Sequence, residues 1–194
     1  MNYFCVFCGS SLGNQPIYEL AAQAMGKAIA SRNLGLVYGG GRVGLMGKVA
    51  DAVLTAGGQV IGVIPDFLAT KEIAHWGLTK LHIVGSMHER KALMASLSSG
   101  FIALPGGYGT LEEFCEVLTW GQLGLHEKSL ALLNIAGYYN PLLAFFDRAL
   151  AEGFLSRTLR SLILEATTPD ILLDAMISYQ PEKLAQWLEN EAEI

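Results

Sequence analysis

The sequence is poor in cysteine. Its 194 residues include three, Cys5, Cys8 and Cys115. So small and odd a number argues against a disulfide framework and is typical of a reducing compartment, so we expect a cytoplasmic protein. Cys5 and Cys8 form a C-x-x-C pair inside one apolar run, where positions three apart face opposite sides of a strand. We therefore interpret both as core residues, not as a redox pair or half of a zinc site.

Charged residues are also scarce. They make up 16% of the chain, and 13 basic against 18 acidic residues give a formal net charge of −5. Because no Lys/Arg cluster is available to neutralise phosphates, we expect no nucleic-acid partner. The hydrophobic content of 52% argues against disorder and suffices for the core of one domain, which we expect to span residues 1–194.

The chain lacks a long hydrophobic run. Mean hydropathy is high, at +0.36, but the longest uncharged stretch, Ala92–Leu111, is interrupted by serines, glycines and a proline. The N-terminus has neither the basic region nor the cleavage site of a secretory signal. We expect no membrane association and attribute the hydropathy to a parallel sheet buried on both faces.

Short apolar runs alternate with helical patterns. The alternation predicts an α/β fold, a doubly wound parallel sheet with helices on both faces. Strands are predicted at Tyr3–Cys8, Leu34–Tyr38, Gln59–Ile64, Leu81–Val84, Phe101–Leu104, Ser129–Asn134 and Ser161–Glu165. Helices are predicted at Ile17–Ser31, Val43–Ala56, Met87–Ser98, Leu111–Leu123, Pro141–Glu152, Pro169–Ile177 and Pro181–Asn190. The longest stretch without a predicted element, Pro65–Thr79, is expected to cover a site.

A glycine-rich turn, Pro105–Thr110 (P-G-G-Y-G-T), separates a predicted strand from a predicted helix. Its glycines allow a sharp bend, and the N–H groups of the following helix then face one point, so the turn is typical of a phosphate site. The alternative is a plain strand-to-helix turn. Gly9–Ser11 and Gly39–Gly44 follow two other strands, and ligands of such sheets bind at this edge.

The segment Gly39–Gly44 has the dinucleotide-binding spacing G-x-G-x-x-G, through Gly39, Gly41 and Gly44. However, it follows the second strand, and the acidic residue after the next strand, Asp66, comes late. We favour a packing role or a general nucleotide-phosphate role for these glycines over a dinucleotide site.

Three charged residues need an explanation. Arg90 shares the apolar face of its predicted helix and therefore needs an anionic partner, either a structural carboxylate or a bound substrate. Lys91 points elsewhere and is expected at the rim. Glu113 completes the capping-box pattern Thr110-x-x-Glu113, or it is a carboxylate placed near the sugar of a nucleotide. The four histidines show no metal-ligand spacing, so no metal site is expected.

Two segments together resemble a known family. Met87–Lys91 (M-H-E-R-K) and Pro105–Glu113 (P-G-G-Y-G-T-L-E-E) resemble the LONELY GUY family of cytokinin riboside 5′-monophosphate phosphoribohydrolases, often mislabelled as lysine decarboxylases. The family pattern P-G-G-x-G-T-x-x-E with an upstream R-K pair is complete. Similarity elsewhere extends the resemblance over nearly the whole chain, at Val6–Ser11, Gly39–Gly47, Thr119–Gly124 and Asn134–Asn140.

The resemblance implies a Rossmann-like fold and hydrolysis of the N-glycosidic bond of AMP or an N6-substituted AMP, a small-molecule nucleotide substrate, to free base and ribose 5-phosphate. It implies no metal or organic cofactor. By the family pattern, Arg90 and Glu113 are the catalytic pair. The implied substrate-binding residues are Gly9, Ser10, Glu72, Lys91, Gly106, Gly107, Tyr108, Gly109, Thr110, Leu111, Glu112 and Thr119.

The short form of this family is usually a homodimer. Helix Pro141–Glu152, apolar on more than one face, agrees with that expectation. A non-catalytic alternative also exists, because molybdenum-cofactor carrier proteins share similar glycine loops. Such a carrier would not require both Arg90 and Glu113, so their joint presence favours the enzyme.

Overall fold

The computed structural model describes residues 1–69 and 73–181. These residues contain seven strands in one sheet of order β4-β3-β2-β1-β5-β6-β7, with every pairing parallel. The strands are β1 Tyr3–Phe7, β2 Gly35–Tyr38, β3 Val60–Pro65, β4 Lys80–Val84, β5 Gly100–Ala103, β6 Ser129–Leu133 and β7 Ile163–Ala166. The predicted doubly wound parallel sheet is confirmed. The first and last residues of each predicted strand differ from those observed by at most two positions.

An α-helix follows β1, β2 and each strand from β4 to β7. The helices are α1 Pro16–Ser31, α2 Gly44–Thr55, α3 Met87–Leu97, α4 Tyr108–Gln122, α5 Asn140–Ala151, α6 Arg157–Arg160 and α7 Pro169–Ile177. The short helix α6 and two 3-10 turns, Asp66–Leu68 and Ile135–Gly137, were not predicted. The predicted helix Pro181–Asn190 lies, after its first residue, outside the described residues. Among the described residues, no helix is both long and apolar enough to span a bilayer.

Helices cover both faces of the sheet, as predicted. Side chains of α1, α2 and α7 pack into one core cluster, and those of α3, α4 and α5 pack into the other. Cys5 belongs to the second cluster and Cys8 to the first. The two thiols therefore face opposite sides of β1, which confirms their interpretation as core residues, and burial raises the pKa of both.

The order of the strands reverses between β1 and β5. From β1 the chain moves outward to β4 and then returns to β5 on the other side of β1. The loops after these two strands are joined, because the Gly9 N–H donates to the Pro105 carbonyl at 3.0 Å. A doubly wound sheet binds its ligands at such a reversal, beyond the carboxyl ends of the strands.

Candidate active site

Arg90 and Glu113 form a nearly buried ion pair beside this reversal. Arg90 Nη1 lies 3.0 Å from Glu113 Oε1, and the side chains are 12% and 10% exposed. Arg90 comes from the first turns of α3 and Glu113 from those of α4. The predicted need of Arg90 for an anionic partner is thus met within the chain by a carboxylate that the family pattern itself singles out.

The position of Arg90 is fixed locally. Ser86 caps α3, since its Oγ accepts from the Glu89 N–H at 3.1 Å. Two residues separate this helix from the end of β4. Arg90 Nε donates to the Val63 carbonyl at 3.2 Å, at the end of β3. Its guanidinium also packs against Gly39, where a Cβ would collide with it.

Glu113 does not take part in a capping box. Helix α4 begins at Tyr108 with Gly107 as its N-cap, so Thr110 lies inside the first turn and is buried. The Glu113 carboxylate meets Arg90 instead, which corrects the capping interpretation. Burial raises the pKa of Glu113, and the nearby guanidinium of Arg90 only partly offsets that rise.

The glycine turn places the start of α4 at the reversal. A Cβ at Gly106 would collide with the Thr110 side chain, whereas Cβ atoms at Gly107 and Gly109 would face open space. The Tyr138 hydroxyl donates to the Gly106 carbonyl at 2.6 Å. The first N–H groups of any α-helix lack acceptors within the helix, so this end of α4 attracts anions.

A cavity of about 320 Å³ opens beside the turn. Its walls are the loops after β1 and β5, together with Tyr18 of α1 and Tyr138 after the second 3-10 turn. The loops contribute Gly9, Ser10, Gly106 and Gly107. The rings of Tyr18 and Tyr138 meet edge to face, with centroids 5.6 Å apart. Four of the residues predicted to bind substrate are therefore gathered around one cavity, at the edge of the sheet where ligands are expected.

The segment Gly39–Gly44 packs against protein. Gly44 has φ +57°, and a Cβ there would collide with the backbone of Ser10. The Leu45 N–H donates to the Gly9 carbonyl at 3.0 Å, so the loop after β1 covers the start of α2. Together with the contact between Gly39 and Arg90, this supports the packing role over the dinucleotide site.

Lys91 was expected at the rim, but it lies between α3 and α4. Its side chain is 11% exposed, and Nζ contacts Glu112 Oε1 at 2.5 Å and Glu116 Oε1 at 3.0 Å. Burial lowers the pKa of Lys91, but the two carboxylates outweigh that effect and leave it raised. Glu116 was not singled out in the sequence, although its spacing of four from Glu112 places both on one side of a helix.

The remaining predicted residues are dispersed. Thr119 is exposed, about three turns or roughly 16 Å along α4 from Tyr108, and its hydroxyl donates to the Cys115 carbonyl at 2.8 Å. Leu111 packs against the core, and Tyr108 is exposed. Glu72 lies outside the described residues.

The fold and site define an α/β protein of the Rossmann-like, doubly wound class, with a helix N-terminus at the strand reversal and a buried Arg–Glu pair beside it. A family model described as possible lysine decarboxylase matches residues 46–176. A probable cytokinin riboside 5′-monophosphate phosphoribohydrolase of Oryza sativa subsp. japonica is 53% identical over 178 residues, 92% of this chain and 73% of the relative. A cytokinin riboside 5′-monophosphate phosphoribohydrolase of Arabidopsis thaliana is 52% identical over 183 residues, 93% of this chain and 86% of the relative.

The chain belongs to the family of these phosphoribohydrolases. Solved structures agree on the fold. A molybdenum cofactor binding protein from Rippkaea orientalis superposes with a TM-score of 0.70 at 21% identity, over 91% of this chain and 96% of that one. The molybdenum cofactor carrier protein of Chlamydomonas reinhardtii gives 0.69 at 20% identity, over 92% and 99%. At such identities the likeness concerns the fold alone.

Proposed function

We propose that this chain hydrolyses the N-glycosidic bond of AMP or an N6-substituted AMP, and releases the free base and ribose 5-phosphate. The observation that carries the proposal is the buried pair of Arg90 and Glu113 beside the glycine turn. Relatives about half identical over most of the chain are named cytokinin riboside 5′-monophosphate phosphoribohydrolases.

The 5′-phosphate is held by the glycine turn and the start of α4, with Gly9 and Ser10 as the opposite wall. An anion is favoured there because N–H groups and the positive end of the helix dipole converge. Phosphate binding of this kind supplies binding energy at a distance from the bond that breaks. It also orients the ribose toward Arg90 and Glu113.

Glu113 acts on the ribose. As the bond from C1′ to nitrogen breaks, its electron pair leaves with the base and positive charge develops on the sugar. The Glu113 carboxylate stabilises this charge and orients a water, whose oxygen bonds to C1′ while a proton passes to the departing base. Arg90 holds the carboxylate and the substrate in position relative to each other. The raised pKa of Glu113 makes its carboxylate a better proton acceptor.

The decarboxylase chemistry in the family model's description has less support. A pyridoxal phosphate enzyme needs a lysine that loses its proton to form a Schiff base. Lys48 Nζ lies 2.7 Å from Glu19 Oε1, whose hydrogen bond raises the pKa of that lysine, and the pKa of Lys91 is raised as well. Burial lowers the pKa of Lys128, but this lysine precedes β6, at the end of the sheet opposite the site. We expect the purified protein to show no absorbance from a bound aldehyde cofactor.

The protein works as a cytoplasmic homodimer in this proposal. Four large apolar side chains are exposed on or just after α4 and α5. We infer that they form one surface, which we call the α4–α5 face: Leu123, Leu125, Phe145 and Phe154. A cavity of about 170 Å³ between α4, α5 and α6 adjoins this face. Exposed apolar patches of this kind are typical of interfaces, so a second copy of the chain is the proposed cover.

The activity is tested by chromatography. Purified protein is incubated with isopentenyladenosine 5′-monophosphate and, separately, with AMP, and the free base is quantified. Base release by the wild type that is lost in Arg90→Ala supports the proposal, and the ratio of the two rates measures the contribution of the prenyl group. Binding of both nucleotides without release of base would contradict it and favour the carrier alternative.

A further inference from the structure

Lys91 is shared by two carboxylates of α4. Its Nζ contacts Glu112 Oε1 at 2.5 Å and Glu116 Oε1 at 3.0 Å, although Lys91 itself belongs to α3. An ammonium group has three N–H donors, so these contacts leave one donor for a further partner. The arrangement joins α3 to α4 next to the pair of Arg90 and Glu113.

The two carboxylates differ in how strongly they depend on the ion pair with Lys91. The Glu112 side chain is 53% exposed, so water can replace the ammonium group at little cost. The Glu116 side chain is 26% exposed, and its second oxygen, Oε2, is buried with no hydrogen-bond partner among residues 1–69 and 73–181. A carboxylate with one oxygen buried and unpaired depends on its single ion pair, so Glu116 is the less dispensable partner.

The contact between Lys91 and Glu112 conflicts with substrate binding. By the family pattern both side chains contact the nucleotide. Here, however, the Lys91 ammonium group and the Glu112 carboxylate are paired with each other. Only the third donor of Lys91 and the second oxygen of Glu112 are left for the substrate, so both side chains bind it more fully once the contact opens. When it opens, Lys91 needs a second anchor, because an unpaired ammonium group with 11% exposure would otherwise turn toward water.

We propose that Glu116 is a positioning residue, which retains Lys91 beside the site while Glu112 gives up its place on Nζ to an anionic oxygen of the nucleotide. This inference rests on the proposed function and assigns to it a residue outside the family motif. The exchange replaces one anion by another, so Lys91 keeps two anionic partners throughout. It also frees the Glu112 carboxylate to accept from a ribose hydroxyl.

The test compares wild type with Glu116→Gln, which keeps the shape of the side chain and removes its charge. Ribose 5-phosphate is the probe for calorimetry because it is a product and is not consumed, and KM and kcat are measured with AMP. We expect the dissociation constant and KM to rise about tenfold, equivalent to about 1.4 kcal/mol, with kcat unchanged. Glu116→Asp, which keeps the charge, should recover part of the affinity.

Glu19→Gln is the matched control. It removes the same charge from another lysine ion pair, Glu19 with Lys48, whose carboxylate side chain has a comparable exposure of 31%. This variant should bind ribose 5-phosphate as the wild type does. A loss of affinity shared by both variants would show a general effect of charge or stability and would overturn the positioning role.

Failure of this inference is distinguishable from failure of the proposed function. Normal hydrolysis of AMP with wild-type affinity in Glu116→Gln would overturn the role of Glu116 alone. If the wild type releases no base but loses ribose 5-phosphate affinity on Glu116→Gln and not on Glu19→Gln, the proposed function fails and the positioning role holds. A wild type that neither binds ribose 5-phosphate nor hydrolyses AMP overturns both.

Discussion

Single residues at the site combine burial with charge. Removing two opposite charges from water is costly, and a buried pair is tolerated only where further hydrogen bonds complete it. Arg90 has such a hydrogen bond to the Val63 carbonyl, and its guanidinium also packs closely against Gly39. Glu113 is left with a raised pKa, because its burial outweighs the attraction of Arg90. The pair is thus costly to bury, which fits a catalytic role better than a purely stabilising one.

The raised pKa of Glu113 predicts a pH dependence. The proposed mechanism needs the ionised carboxylate, so activity is lost as the pH falls through the pKa of Glu113 in the folded protein. Because burial places that pKa above the ordinary 4.5, the acid limb of kcat/KM for AMP should lie above pH 4.5. Circular dichroism at each pH checks that the fold persists. An acid limb at or below 4.5 in folded protein would contradict the assignment.

Part of this site could be predicted from single residues. The helical spacing of Arg90 predicted an inward-facing cation that requires an anion, and the family pattern singled out Glu113. Spacing alone did not connect them, because the contact joins two helices that are separated by β5. The ion pairs of Lys91 with Glu112 and Glu116 were not predicted, for the same reason. Contacts between helices depend on how each helix is set on the sheet, which periodicity does not specify.

At the scale of elements, apolar runs located the strands because a parallel sheet buried on both faces needs them. The start of α4 was placed three residues late, since glycines were expected to remain in the turn, whereas Gly109 lies within the helix. Helix α6 was missed because four residues are too few for a periodic pattern. The turns and short elements therefore depend on tertiary packing more than the strands do.

The contact between the loop after β1 and the start of α2 predicts a large effect of Gly44→Ala. A non-glycine residue at φ +57° costs about 1–2 kcal/mol, and the new Cβ would also collide with the Ser10 backbone. We expect the free energy of unfolding in urea to fall further than in Gly124→Ala, where φ is +72° but nothing lies within 4 Å of the new Cβ. Equal losses in the two variants would show that the loop contact is unimportant.

At the scale of the whole molecule, some large apolar side chains remain exposed, and those on and after α5 are among them. On α5, Leu143 is buried against the sheet, whereas Phe145 is 64% exposed. The expectation that α5 is apolar on more than one face is thereby confirmed. Thr119 lines the cavity between α4, α5 and α6 and lies apart from the cavity at the strand reversal.

The proposed dimer predicts a mass of twice 20.9 kDa in solution. Replacing Phe145 and Phe154 together by serine should shift the protein toward the monomer, because both side chains are exposed on the α4–α5 face. Leu20→Ser, at an exposed leucine on α1 and hence over the opposite face of the sheet, is the control and should leave the mass unchanged. Light scattering distinguishes the species, and a monomeric wild type at micromolar concentration would refute the dimer.

The most direct test of the account is the Glu113→Gln variant. Glutamine preserves the size of the side chain and avoids the cavity that alanine would leave, so the affinity for ribose 5-phosphate should stay close to that of the wild type. Release of adenine should fall by about 100-fold or more, as expected when a group acting on the reacting atoms is removed. Calorimetric titration with ribose 5-phosphate and chromatography of the base measure the two properties on one preparation. Undiminished release of adenine by this variant would contradict the assignment of Glu113 and, with it, the proposed mechanism.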